Sequence, residues 1–120
     1  MGYHEPIEEI APATRERHRA IVSLAEELEA IDWYDQRVDA TTDDSLRAIL
    51  AHNRDEEREH AAMTLEWLRR NDPVWDRVLR TYLFTEAPIT EVEAEAESAA
   101  PSGSDSSGAA PGDLTRRPAR

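Results

Sequence analysis

The chain has 120 residues, no cysteine and a formal net charge of −12, which bounds it to one domain. The absence of cysteine excludes disulfides, iron–sulfur clusters and cysteine-based zinc sites. The negative charge argues against nucleic acid or anionic lipid as a partner and favours attraction of cations, although a solubilising role explains it equally well.

The N-terminal segment, Met1–Pro6, has neither the basic nor the apolar region of a signal peptide. The sequence contains no run of roughly twenty apolar residues that would cross a bilayer. We therefore expect a soluble, cytoplasmic protein that does not contact a membrane.

The first predicted helix begins near Thr14–Arg17 and is free of proline and glycine. Its apolar residues recur at steps of four and three on one stripe, which consists of Ala20, Leu24, Ile31 and Val38. The segment Asp39–Asp44 predicts the break, where Thr42 or Asp43 would cap the next helix.

The second predicted helix extends to about Arg70 and is ended by Asn71–Pro73. Its stripe reads Leu46, Leu50, Asn53, Glu57, His60, Thr64 and Trp67, with Ile49, Met63 and Leu68 widening the apolar face. Each helix has about 25 residues and a length of roughly 37 Å. The short link predicts an antiparallel hairpin.

A third, shorter helix is predicted after Pro73, carrying Trp75, Val78, Leu79, Tyr82, Leu83 and Phe84. We interpret Met63, Trp67, Leu68 and Trp75 as core residues. From Pro88 onward the composition of Glu, Ala, Ser, Gly and Pro is typical of a flexible tail. The predicted organisation is a helical domain over residues 1–93 and a flexible tail over residues 94–120.

The predicted fold is all-α, an antiparallel two-helix hairpin with a short C-terminal helix. Such a hairpin has little interior, and about 85 folded residues without a disulfide usually need a metal or a partner subunit. Two hairpins packed face to face form a four-helix bundle with a shared core. A dimer is therefore the expected minimum.

Polar residues interrupt the apolar stripes at Glu27, Glu57 and His60. Burying a carboxylate is costly unless a positive charge compensates it. No lysine or arginine lies on these lines, and Arg54 and Arg58 are expected to project to the sides. A divalent cation is the natural compensator, with a solvated acidic face as the alternative.

The spacing of Glu57 and His60, i and i+3, lets both side chains reach one ion. Di-iron carboxylate bundles use two Glu-x-x-His motifs and two further glutamates. This chain has one motif and Glu27, half of that set, and a two-fold dimer would supply the other half. Glu26 and Glu29 flank Glu27 and either guide cations inward or form a solvated face.

The segments Glu26–Arg37, His52–Trp67 and Arg80–Glu86 resemble the encapsulated ferritins, the ferritin-like cargo proteins of encapsulin nanocompartments. The resemblance extends from His4 to Glu93. It implies a dimer that builds the four-helix ferroxidase unit, with dimers arranged in an open decameric ring. It also implies mineralisation of oxidised iron inside the encapsulin shell.

The resemblance further implies that Glu27, Glu57 and His60 bind a di-iron centre between subunits, with Tyr34 beside it. It assigns Glu26 and Glu29 to an entrance site for calcium or another divalent cation. Family tails end in a Gly-Ser-Leu type peptide that docks on the shell, whereas this tail ends Gly112–Arg120 without it.

The hypothesis is therefore a ferroxidase that oxidises Fe(II) with O₂ for iron storage. The alternative from a different class is a cargo protein that binds metal only to hold its subunits together. A rubrerythrin-type peroxidase is disfavoured because cysteine and a second Glu-x-x-His are absent from the chain.

Overall fold

A computed structural model of the chain describes residues 2–99, and within them every regular element is helical. A short 3₁₀ turn, Ile7–Glu9, precedes four α-helices. They are α1 (Pro12–Ala40), α2 (Asp44–Asn71), α3 (Pro73–Tyr82) and α4 (Ile89–Ala99). The all-α class predicted from the sequence is confirmed.

The ends of α1 and α2 follow from local chemistry. Helix α1 begins two residues before the predicted start because Pro12 occupies its first turn, where the missing N–H costs no hydrogen bond. Asp43 caps α2, since its carboxylate accepts a hydrogen bond from the Leu46 amide at 2.9 Å. Of the two predicted caps, Asp43 is therefore the one used.

Helices α1 and α2 form the predicted antiparallel hairpin. Near the link, the Arg47 side chain donates to the Val38 carbonyl at 3.1 Å and also to the Thr41 carbonyl. Further from the link, Arg54 donates to Asp35 at 3.0 Å. With distance from the link, the residue numbers of the partners fall along α1 and rise along α2. This pattern is that of two antiparallel helices.

The chain divides into two compact units between Trp67 and Leu68. The first contains most of the α1–α2 hairpin. In the second, Asp72 is buried and caps α3 by accepting a hydrogen bond from the Val74 amide at 2.9 Å. Asp76 is held by Arg69, whose hydrogen bond lowers the pKa of this carboxyl group.

Helix α3 ends two residues earlier than predicted. Tyr82 is its last residue, and Leu83 leaves the helix in an extended conformation. Phe84 then adopts a left-handed backbone with φ of 62° and is fully exposed. Leu83 and Phe84 therefore belong to the turn between α3 and α4.

Helix α4 was not predicted, and the expectation of a flexible tail from Pro88 onward is wrong for residues 89–99. Low hydrophobicity carried that expectation, but Ala and Glu are strong helix formers. Val92 and Ala96, one turn apart, are the partly shielded residues of α4, which packs against α3. Residues 100–120 lie outside the described part, and the domain boundary after residue 93 stays a prediction.

A single chain covers little of its apolar surface. Among residues 2–99, the buried apolar residues are Ala61 and Leu68. Leu68 is confirmed as core and Trp75 is partly shielded. Met63, which is 63% exposed, and Trp67 are not core within one chain. Two helices can cover only one side of each other, which leaves the remaining side open.

No helix in the described part of the chain combines the length and the apolar character needed to span a bilayer. The long helices α1 and α2 carry charged residues throughout, including the acidic stretch Asp55–Glu57.

Candidate metal centre

The Glu-x-x-His motif lies near the middle of α2. Because positions i and i+3 are neighbours on a helix, Glu57 Oε1 and His60 Nδ1 approach to 3.2 Å. The Glu57 side chain is 25% exposed and that of His60 is 46% exposed. One carboxylate and one imidazole therefore present their donor atoms side by side at a half-shielded position.

Glu27 lies on α1 among the most shielded residues of that helix. Leu24, Ile31, Tyr34 and Val38 share its line and its partial burial, as the periodicity predicted. Glu27 Oε1 is buried and has no hydrogen-bond partner among the described residues. Such an atom is uncommon in folded proteins and points to a ligand or ion.

The three predicted ligands are not brought together within one chain. Across residues 2–99, no three acidic or histidine side chains converge in a manner that would hold a metal ion. One chain thus offers a Glu57–His60 pair and, separately, a buried carboxylate oxygen on Glu27. This arrangement is consistent with the prediction that one chain carries only half of the ligand set.

Tyr34 is partly buried one helical turn beyond Ile31 on the same line. The Arg37 guanidinium lies 5.5 Å from the centroid of the Tyr34 ring and 5.9 Å from that of Trp33. These distances place the cation over both rings. Tyr34 therefore has a fixed neighbour on its own helix.

Glu26 and Glu29 are exposed on α1. Their i and i+3 spacing makes them neighbours on the helix surface. Both side chains therefore lie on the surface, and their role as an entrance site stays a prediction.

The two arginines nearest the motif pair with aspartates, and Arg54 reaches across to α1 instead of projecting to the side as predicted. Arg54 and Arg58 form ion pairs with Asp35 and Asp55. The hydrogen bond to Asp35, followed by that to Asp55, raises the pKa of Arg54 above its usual value. Asp35 was not anticipated from the sequence, because its partner on α2 lies 19 residues away.

A second contact on α2 was also missed. Glu56 lies between two histidines, with Oε1 at 3.4 Å from His52 Nε2 and Oε2 at 3.9 Å from His60 Nε2. His52 and Glu56 were not singled out from the sequence. The i and i+4 spacing of the three residues was the signal that would have found this row.

Donor types define what the centre would bind. Carboxylate oxygens suit hard cations, and imidazole suits borderline transition metals such as Fe, Zn and Cu. An iron ion would therefore suit the donor atoms of Glu27, Glu57 and His60. The Glu27 oxygen, which is buried without a hydrogen-bond partner, would be stabilised by such a positive charge.

The sequence matches the model of the family described as EncFtn-like over residues 2–86. It is 69% identical to an encapsulated ferritin-like protein of Rhodospirillum rubrum over 102 residues, 85% of this chain and 73% of that protein. It is 62% identical to a ferritin-like protein of Thermotoga maritima over 93 residues, 78% of this chain and 82% of that protein.

Among solved structures, the chain is similar to the crystal structure of protein NE0167 from Nitrosomonas europaea. The TM-score is 0.71 and the sequence identity is 63%. The match covers 74% of this chain and 98% of the other. The helical architecture of the described residues is thus the one found in an experimental relative.

Proposed function

Because this chain belongs to the EncFtn-like family, we propose that it is a ferroxidase that oxidises Fe(II) to Fe(III) with O₂. Iron is the substrate, and it would bind between two copies of the chain at Glu27, Glu57 and His60. The observation that carries the proposal is the buried Glu27 oxygen without a partner. A carboxylate in that state is stabilised when a cation binds beside it.

Two observations on a single chain support a dimer: uncovered apolar side chains and too few metal ligands. Large apolar side chains remain exposed on α1 and α2, namely Ile21, Leu28, Trp33, Leu46, Ile49, Met63 and Trp67. Within residues 2–99, no group of three or more acidic or histidine side chains could hold a metal ion. A two-fold dimer would supply both the missing cover and the missing ligands, and a decameric ring of such dimers is the larger assembly we propose.

The protein side chains supply the chemistry of the site in distinct ways. Carboxylates stabilise Fe(III) more strongly than Fe(II), which favours loss of an electron to O₂. His60 adds a neutral donor, and its contact with Glu57 orients both groups before iron arrives. Tyr34 lies on the same line as Glu27 and Ile31, beneath Arg37, and we assign it to the surroundings of the centre.

We also propose that the protein acts as cargo of an encapsulin shell, in the cytoplasm. The similarity to a protein named as an encapsulated ferritin-like protein supports this role. The tail beyond α4 would link the helical domain to the shell. Its terminal segment, Gly112–Arg120, lies outside the described residues.

Oxygen uptake tests whether the protein is an enzyme. When Fe(II) is added to air-saturated protein, we expect O₂ to be consumed in a fixed ratio to the iron oxidised, over many turnovers. An oxygen electrode and absorbance of Fe(III) measure the two quantities together. A cargo protein that binds metal only for assembly would bind Fe(II) and leave the rate of oxygen uptake at that of buffer.

A further inference from the structure

A network of four charged side chains joins α1 and α2 beside the candidate centre. Arg54 contacts Asp35 at 3.0 Å and Asp55 at 3.3 Å. Arg58 contacts the same two carboxylates, Asp55 at 3.2 Å and Asp35 at 3.6 Å. Both cations are therefore shared between the same two acids, and one of these acids, Asp35, comes from the opposite helix.

Arg54 is also the arginine best placed to neutralise Glu57. The two residues are at i and i+3 on α2, which makes their side chains neighbours. Both are substantially shielded, with 21% of the Arg54 side chain and 25% of the Glu57 side chain exposed. Arg58, directly after Glu57, does not face it, because adjacent helix positions point in different directions.

Glu57 is nevertheless not paired with Arg54. Within residues 2–99, the contact that Glu57 makes is with His60. An arginine bound to Glu57 would neutralise it and would occupy the oxygen lone pairs that a metal needs, since guanidinium is a permanent cation with donors only. Some feature of the structure must hold Arg54 away from this carboxylate.

We propose that Asp35 and Asp55 are positioning residues that hold Arg54 away from Glu57 and so keep its carboxylate free for a divalent cation. This inference rests on the proposed metal-binding role of Glu57. Asp35 makes the shorter contact and acts across the helix pair. Asp55 makes the second contact to Arg54 and is shared with Arg58.

The test compares Co(II) binding by isothermal titration calorimetry in the 120-residue chain and three variants of it. In Asp35→Asn/Asp55→Asn, Arg54 loses both partners, and we expect Co(II) affinity to fall about three- to fivefold, the worth of a partly exposed ion pair. Arg54→Gln alone should bind Co(II) at least as tightly as the parent. Adding Arg54→Gln to the double variant should restore parental affinity.

The charge-matched control is Glu8→Gln/Glu9→Gln, which removes two exposed carboxylates from the N-terminal 3₁₀ turn. We expect this control to change Co(II) affinity less than twofold, since exposed charges beyond a Debye length are screened. An equal loss in the control and in Asp35→Asn/Asp55→Asn would show a general charge effect and overturn the inference.

A purely structural network gives a different pattern. If the pairs only clamp α1 to α2, Arg54→Gln alone weakens Co(II) binding as much as Asp35→Asn/Asp55→Asn does, and the triple variant is not rescued. That result overturns the inference, as does unchanged affinity in the double variant. Circular dichroism of each variant confirms that the helices are intact.

Co(II) binding by the parent protein and by Glu57→Ala distinguishes failure of the proposed function from failure of this inference. If the parent protein does not bind Co(II), or if Glu57→Ala binds it as the parent does, the metal site itself is disproved, and the inference falls with it. If the parent binds and Glu57→Ala does not, while Asp35→Asn/Asp55→Asn binds like the parent, only the inference is wrong.

Discussion

Glu57→Ala and His60→Ala are each expected to lose O₂-dependent oxidation of Fe(II). Glu57 and His60 place their donor atoms 3.2 Å apart, so removal of either leaves an incomplete set of ligands. Loss of an outer partner of a metal ligand already costs tenfold to a hundredfold, and loss of a ligand should cost about a hundredfold or more. Stopped-flow absorbance of Fe(III) formation measures the initial rate.

Glu59→Ala is the matched control for these two variants. Glu59→Ala makes the same chemical change as Glu57→Ala on the same helix and next to His60. The Glu59 side chain is exposed and takes no part in the contact between Glu57 and His60. We expect its initial rate to stay within twofold of the parent rate. Parental rates in both Glu57→Ala and His60→Ala would remove these residues from the centre.

Glu27→Met is expected to stabilise the metal-free protein while it abolishes the stabilisation that metal provides. Glu27 Oε1 is buried without a hydrogen-bond partner, and an unsatisfied buried polar group costs about 1–3 kcal/mol. Methionine has a similar volume and no such demand. For a domain of this size, each kcal/mol corresponds to roughly 4–8 °C in Tm.

Thermal unfolding with a chelator and then with Co(II) measures both effects of Glu27→Met. Glu29→Met, exposed on the same helix, is the control for metal-free stability and should lie within about 0.5 kcal/mol of the parent. A metal-free Glu27→Met protein that is less stable than the parent would show that the carboxylate is satisfied by other means. If Co(II) raised the Tm of Glu27→Met as much as it raises the Tm of the parent protein, Glu27 would not be a ligand.

The long helices were predictable because the apolar periodicity along them agrees with the residues that begin and end them. The apolar line of α1 coincides with its shielded residues, and Asp43 and Asp72 cap the following helices as short polar side chains do. Helix α4 was missed because hydrophobicity is a poor guide to a helix of Ala and Glu. Its partly shielded Val92 and Ala96 need α3 as a neighbour.

The proposed ligands could be named from the sequence, whereas their neighbours on the other helix could not. Glu27, Glu57 and His60 follow from polar interruptions of apolar lines, a local signal. Asp35 does not, because its function depends on Arg54 lying opposite on another helix. The exposure of Met63 and Trp67 was likewise not predictable, since the sequence indicates an apolar face without stating which chain covers it.

The central claim is that two copies of the chain bind iron through Glu27, Glu57 and His60. Anomalous scattering at the iron edge, from crystals exposed to Fe(II) without oxygen, tests it most directly. We predict anomalous density on or beside a two-fold axis, within bonding distance of all three side chains, with ligands from both copies. The claim would be contradicted if these side chains faced bulk solvent, away from any second copy, and no anomalous density lay beside them.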